Sequence, residues 1–318
     1  MDIVVATDKG FVMPTGVMMY SVCVNNSETS IVFHIITDES VSEQEKKDLE
    51  STVMGAGGGK TVKFYTTSSE LYCHFPCHSK RITHTTYIRL FLTEILPKTL
   101  KKVLYLDGDI IVRHSLETLW KTDMEDCAIA AVPDCMEANV EFYNRLRFSP
   151  CLGYFNAGVM LVNLEYWRIH QVLNDFMNFL TEREEDIKWN DQDVLNVVFQ
   201  DKKRMIPLKY NLQSGFILCK KDFYYWKYED ELKEAYGNPV IVHYTGPKPW
   251  EPHTPLHPLA NTFFKYQDQT LWRGRRTPDR WTVARKLRRL LGNTLRAMRL
   301  LPPLVQGKDI YIDVVPID

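Results

Sequence analysis

Nowhere among the 318 residues does an apolar run approach the roughly 18 positions that a membrane-spanning helix needs, so none is expected. The opening residues MDIVVATDKG carry neither a basic stretch nor a long apolar core, and no secretory signal is expected. Cysteine is sparse: seven, an odd number, scattered along the chain. That argues against a disulfide framework and for reduced thiols in a cytoplasmic protein. There is no internal repeat and no low-complexity segment. Net charge is scarce too, at −1, while 45% hydrophobic and 25% charged residues are ordinary for a globular chain. The length suits one large domain or two ordinary ones.

The near-zero charge hides an asymmetry. Residues 272–301 hold ten Lys or Arg against one acid, Asp279, leaving 29 basic and 39 acidic residues elsewhere. A division follows between a body, residues 1–270, and a basic tail, residues 271–318. From Trp281, Ala284, Leu287, Leu291, Leu295 and Met298 fall along one helical face, with Arg285, Arg289, Arg296 and Arg299 off it. This pattern fits a helix lying on anionic lipid, with peripheral membrane contact through residues 273–301. A helix docked on the body is the alternative. Nucleic acid is not expected as a partner. The last residues, KDIYIDVVPID, suggest a short strand.

The body alternates short apolar runs with helical patterns. Strands are expected at Ile3–Ala6, Ile31–Thr37, Thr61–Thr66, Val103–Leu106 and Ala128–Val132. Helices are expected at Thr15–Val24, after a capping box of Ser42 and Glu45, and at Thr85–Leu96. The fold class is therefore α/β with a mostly parallel sheet. In such sheets ligands bind beyond the carboxyl ends of the strands. Asp8, Asp107 with Asp109, and Asp134 follow three of these strands.

The segment KVLYLDGDIIV sets two carboxylates one residue apart after a buried strand. Residues i and i+2 of an extended segment share a face, so Asp107 and Asp109 can point at one object. Two carboxylates that close repel unless a cation lies between them. Mn²⁺ or Mg²⁺, sharing its shell with substrate phosphate, is the expected partner. Downstream, VIVHYTGPKPW offers His243 at a strand end as a third ligand, and a tight loop carrying Gly246 and Lys248. A lysine there suits a diphosphate. YFNAGVMLVN reads as a buried strand interrupted by Asn156 and Gly158. Either a bulge or a sugar contact, with Ala157 and Gly158 making room, explains it.

The ordered segments VVATDKGF, TTYIRLFL, KVLYLDGDIIV, YFNAGVMLVNLEYWR, NDQDVLN and HYTGPKPW resemble glycosyltransferase family 8 over about residues 1–270. That family holds bacterial lipopolysaccharide galactosyl- and glucosyltransferases, and glycogenin. The resemblance implies a GT-A nucleotide-diphospho-sugar transferase fold, a UDP-sugar donor, Mn²⁺ and retention of anomeric configuration. It places Ala6 and Asp8 on the uracil and ribose, and Arg89 near the donor sugar and diphosphate. Asp107, Asp109 and His243 fall on Mn²⁺. Asp134, Asn156 and Ala157 line the sugar pocket, Asp191 binds sugar hydroxyls, and Gln192 lies beneath the anomeric carbon. Gly246 and Lys248 hold the diphosphate. Lys9 and Gly10 replace the Asn or Asp often found there in the family.

Retaining enzymes often use a carboxylate nucleophile. Gln192 is an amide, so front-face displacement is expected, with Asp191 as the alternative nucleophile. The implied substrates are UDP-galactose or UDP-glucose and a glycan or glycolipid acceptor, at the inner face of the cytoplasmic membrane. A nucleotidyltransferase would want a Gly-rich, basic first turn, which VVATDKGF lacks. A non-catalytic sugar-binding protein would have lost some of these side chains. CHFPCH, residues 73–78, has three residues between its cysteines and no second pair, so it reads as a loop over the donor. Asp193 and the runs EEDIKW and YEDELKE read as solvated helix faces. DFYYWKYED, residues 222–230, suits packing or an acceptor platform.

Overall fold

The structure is a computed structural model that describes residues 1–78, 83–218, 226–246, 248–251 and 257–276, with 287, 290–292, 294–295, 298 and 300. Its described strands are β1 (Asp2–Thr7), β2 (Ile31–Thr37), β3 (Lys60–Thr66), β4 (Lys102–Leu106), β5 (Ile110–Val112), β6 (Ile129–Pro133), β7 (Phe155–Asn163), β8 (Lys203–Met205), β9 (Leu212–Gln213) and β10 (Ile241–His243). Seven form one sheet in the order β3-β2-β1-β4-β7-β6-β8, and β5-β10-β9 form a second. In the large sheet β7 alone runs antiparallel to its neighbours, β4 and β6, and the other pairs are parallel. The expected α/β fold with a mixed, mostly parallel sheet is present.

The strands are apolar on both faces because both faces are covered. Ile3, Val5, Phe33, Ile35, Leu104 and Leu106 belong to one buried cluster, and Val4, Ile36, Val103 and Tyr105 to the other. Helix α1 (Val12–Asn25) joins the first cluster through Val17, Met18, Met19 and Val22. It starts three residues earlier than the spacing predicts. Pro14 sits in its first turn, where no N–H is needed. Helix α2 (Glu43–Gly55) has the expected capping box. Ser42 Oγ accepts from the Glu45 N–H, and the Glu45 carboxylate accepts from the Ser42 N–H.

The helix expected over Thr85–Leu96 is a 3₁₀ helix, His84–Phe91, followed by one short α-helix, Leu92–Ile95. Threonine hydroxyls divert this backbone. Thr83 and Thr85 donate to the Asp8 carboxylate and Thr86 to Asp191. The run Glu184–Asp186 is a 3₁₀ turn rather than a solvated helix face. Asp186 is buried and pairs with Arg183. YEDELKE does form a helix, Glu229–Gly237.

Six strands of the large sheet aim their carboxyl ends at one edge. Reversed β7 brings its first residues, Phe155 to Ala157, to that same edge. The segment Asp107–Asp109 is not extended. The chain leaves β4, turns at Gly108 and Asp109, and enters the second sheet as β5. There β10 pairs antiparallel with β5, placing His243 opposite Ile110 beside Asp109.

The packed chain continues past residue 270. Trp272 is buried, and its ring fills the space over Gly16 of α1. In the basic tail, Leu287, Leu291 and Met298 are exposed, with helical turns at 290–292 and 294–295. Trp281, Ala284, Arg285, Arg289, Arg296, Arg299 and the expected strand in residues 308–318 lie outside the described residues, as do 222–225 of the aromatic run. No helix among the described residues is long and apolar enough to cross a membrane.

Candidate active site

A cavity of about 450 Å³ opens at the carboxyl edge of the large sheet, a size usual for small-ligand sites. Every residue expected at the site lines it, from Ala6 and Asp8 at the end of β1 to Gly246 and Lys248 beyond β10. Asp8 is committed locally. One carboxylate oxygen accepts the Gly10 and Phe11 N–H groups, and the other accepts Thr83 and Thr85. It ties the loop after β1 to the start of the 3₁₀ helix.

Asp107, Asp109 and His243 offer ligand atoms that all lie within 4.8 Å of one another. His243 Nε2 is 3.2 Å from Asp109 Oδ1 and 3.8 Å from Asp107 Oδ2. Burial works against ionised Asp109, but the Lys248 ammonium and His243 outweigh it and hold its pKa below the usual carboxylate range. Two carboxylates and one imidazole suit Mn²⁺ and similar cations. Gly158 makes the cluster possible. A Cβ there would lie 2.2 Å from His243 Cε1 and 2.7 Å from Asp107 Oδ2. The room at Gly158 is thus taken by these two side chains rather than left for a sugar, and the register of β7 against β6 shifts between Phe155 and Met160, as the bulge reading expects.

Arg89 is a buried tie. It bonds Asp107 at 2.9 Å and the Ala157 carbonyl at 2.6 Å, and pairs with Asp191 at 3.0 Å. Its guanidinium lies 4.5 Å over the Tyr105 ring. Arg89 therefore orients two cavity carboxylates as well as lining the cavity.

Gln192, which lines the same cavity, is held at both ends of its amide. Oε1 accepts the Ala157 N–H at 3.0 Å and Asn156 Nδ2 at 3.2 Å, while Nε2 donates to Asp134 Oδ2 at 3.2 Å. Asp134 also accepts from Met136 N and Asn156 Nδ2. Burial nevertheless pushes its pKa up.

Asp191 faces Thr86 and Arg89, and burial raises its pKa to about 6 against the pull of Arg89. Such a carboxylate is ionised at pH 7 and protonated below about 6. Activity is expected to fall about tenfold per pH unit below that value as Arg89 loses a charge partner. A pH profile of kcat/KM checks this. Asp191→Asn should lower activity and remove that limb, and a limb unchanged in the variant excludes Asp191 as its source.

Asp193 is not solvated. It is 0% exposed and accepts Arg145 at 2.7 Å, Tyr154 at 2.8 Å, and the Lys188 and Trp189 N–H groups at 2.8 and 2.7 Å. Asp193 thereby fixes the entry to the helix Asn190–Val198, which presents Asp191 and Gln192. Asn196 grips the Phe155 N–H and C=O, docking the same helix on the start of β7. Asn190 adopts φ 48°, which asparagine tolerates, and its amide lies 3.9 Å from Cys77 Sγ of the CHFPCH loop. Sequence reasoning missed Asp193 and Asn196 as anchors, and Asn211 entirely. Trp189, 41% exposed, and Phe142 also line the cavity.

The sequence profile of glycosyl transferase family 8 matches residues 2–254. The chain belongs to this family. It is similar to the lipopolysaccharide glucosyltransferase WaaO of Escherichia coli (strain K12), 29% identical over 287 residues, which cover 86% of this chain and 79% of WaaO. Similarity to general stress protein A of Bacillus subtilis (strain 168) is 28% over 276 residues, 86% of this chain and 94% of that protein. The structure of galactosyltransferase LgtC in complex with donor and acceptor sugar analogs superposes with a TM-score of 0.77 at 28% identity, covering 88% of this chain and 99% of LgtC. The family 8 chain has the GT-A glycosyltransferase fold and is a sugar transferase.

Proposed function

We propose that the chain moves a hexose, galactose or glucose, from its UDP-sugar to a glycan acceptor with retention of configuration. The observation that carries this is one cavity lined both by the cluster of Asp107, Asp109 and His243 and by the held amide of Gln192. A divalent cation, Mn²⁺ by preference, held by Asp107, Asp109 and His243 would supply Lewis-acid stabilisation of the diphosphate. Lys248, beside Asp109, is placed to add a point charge.

In the reaction the bond from anomeric carbon to phosphate oxygen breaks. The acceptor oxygen bonds that carbon on the same face, and its proton passes to the departing phosphate oxygen. Gln192 Oε1 already accepts two hydrogen bonds, and both Asp191 oxygens are engaged by Thr86 and Arg89. The amide is a poor nucleophile and the ion pair with Arg89 damps the nucleophilicity of Asp191, which supports displacement without a covalent intermediate. Both are placed to hold the donor sugar. The name of WaaO, a lipopolysaccharide glucosyltransferase, supports a lipopolysaccharide or other cell-surface glycan as acceptor. Residues 273–301 would then rest on the inner face of the cytoplasmic membrane.

The test is UDP release from a panel of UDP-sugars with Mn²⁺ or with EDTA, water serving as acceptor. Metal-dependent release from one UDP-hexose is the expected result. Release from none of them, together with no Mn²⁺-dependent UDP binding by calorimetry, rejects the reading.

A further inference from the structure

Asn211 is wholly buried just before β9 and does not line the cavity, yet it joins the two halves of the site. Its Oδ1 lies 2.9 Å from His243 Nδ1, and its Nδ2 donates to Asn156 Oδ1 at 2.9 Å. The direction of these bonds follows from a backbone group that cannot flip. The Gly158 N–H donates to Asn156 at 3.0 Å, so that atom of Asn156 is the oxygen. The Asn211 atom facing it must then be the NH₂ group, which turns the Asn211 oxygen to His243. An oxygen facing Nδ1 requires the proton on Nδ1. The lone pair of His243 is left on Nε2, the atom that faces Asp109 and Asp107. From Asn156 the chain of bonds runs on to Gln192 and Asp134.

We infer that Asn211 is a positioning residue that fixes the His243 tautomer for a divalent cation and, through Asn156, couples that cation site to the Gln192 amide. The inference rests on the metal reading proposed above. Loss of a partner that orients a ligating histidine typically weakens metal binding about 10–100-fold.

The test uses the full chain, with Mn²⁺ affinity read from the electron paramagnetic resonance signal of the free ion, and UDP release read separately. Asn211→Leu should weaken Mn²⁺ binding by about 10–100-fold. Asn211→Asp keeps an acceptor for His243 Nδ1–H, so Mn²⁺ affinity should stay near the wild-type value. Its second oxygen meets Asn156 Oδ1, so Asn156 must turn and kcat should drop by about tenfold or more. Wild-type affinity in Asn211→Leu overturns the inference alone. So does equal loss of Mn²⁺ affinity in Asn211→Asp and Asn211→Leu, which marks a merely structural role. Should Asn211→Leu fail to fold, Asn211→Asp decides by its split between affinity and kcat. A wild-type chain that binds no Mn²⁺ overturns the metal reading and this inference with it.

Discussion

Replacing Asp109 with Asn is expected to slow metal-dependent UDP release by about 10³-fold, roughly the several kcal/mol a Lewis acid supplies to a leaving diphosphate. The substitution is close to isosteric and leaves the backbone turn at Gly108 intact. It removes the charge that both His243 and Lys248 face. The remaining carboxylate, Asp107, is already tied to Arg89, so it cannot compensate. Half-buried Lys248 then faces a neutral amide and keeps the Tyr244 carbonyl, at a stability cost of about 1 kcal/mol. The measurement is initial rate against Mn²⁺ concentration, with the thermal midpoint followed in parallel. A folded Asp109→Asn chain that works at the wild-type rate and the wild-type Mn²⁺ requirement would remove Asp109 from the metal site.

Gly158→Ala should be nearly as damaging, although Gly158 supplies no ligand atom. The new methyl would stand 2.2 Å from His243 Cε1 and 2.9 Å from His243 Nδ1. The imidazole is buried and bonded to Asn211, so it cannot retreat without breaking that bond. Overpacking of this kind costs about 1–3 kcal/mol in stability. Displacing a reacting group by about 1 Å can cost 10²-fold in rate. Gly55→Ala is the matched control, because nothing lies within 4 Å of a Cβ at Gly55 near the end of α2. Stability by chemical denaturation and Mn²⁺ affinity should both fall in Gly158→Ala, whereas Gly55→Ala should leave Mn²⁺ affinity unchanged and raise stability by about 0.4–1 kcal/mol. Unaltered Mn²⁺ affinity in Gly158→Ala would mean that His243 has another way to reach the ion.

Much of this site can be read without coordinates because strands bury themselves. Val103–Leu106 could only be a covered strand, so the acids that follow it had to sit at a strand end. The same logic marked Asp8 and Asp134. What stayed hidden depends on contacts between distant segments. Asp193 carries the same charge as a solvated acid, and Arg145, 48 residues away, Tyr154 and two nearby backbone N–H groups make its burial tolerable. Asn211 has no pattern of its own in KYNLQS, and its meaning comes from His243, 32 residues on. The direction of β7 was equally silent, because an apolar run reads the same whichever way it pairs. Thr85 and Thr86 open the segment whose spacing reads as a helix, but the hydroxyls of Thr83, Thr85 and Thr86 found carboxylates and tightened the turn.

The second sheet has a consequence for how the molecule fails. Its three strands are only three, three and two residues long, against nine for β7 in the large sheet. Strands this short have little cooperativity of their own and persist through packing. A local opening that frees β10 would carry His243 away while the large sheet stayed shut. Catalytic competence would then vanish in a chain that still looks folded to circular dichroism. A cation held by Asp107, Asp109 and His243 would clasp the turn after β4 to the end of β10 and so resist that opening.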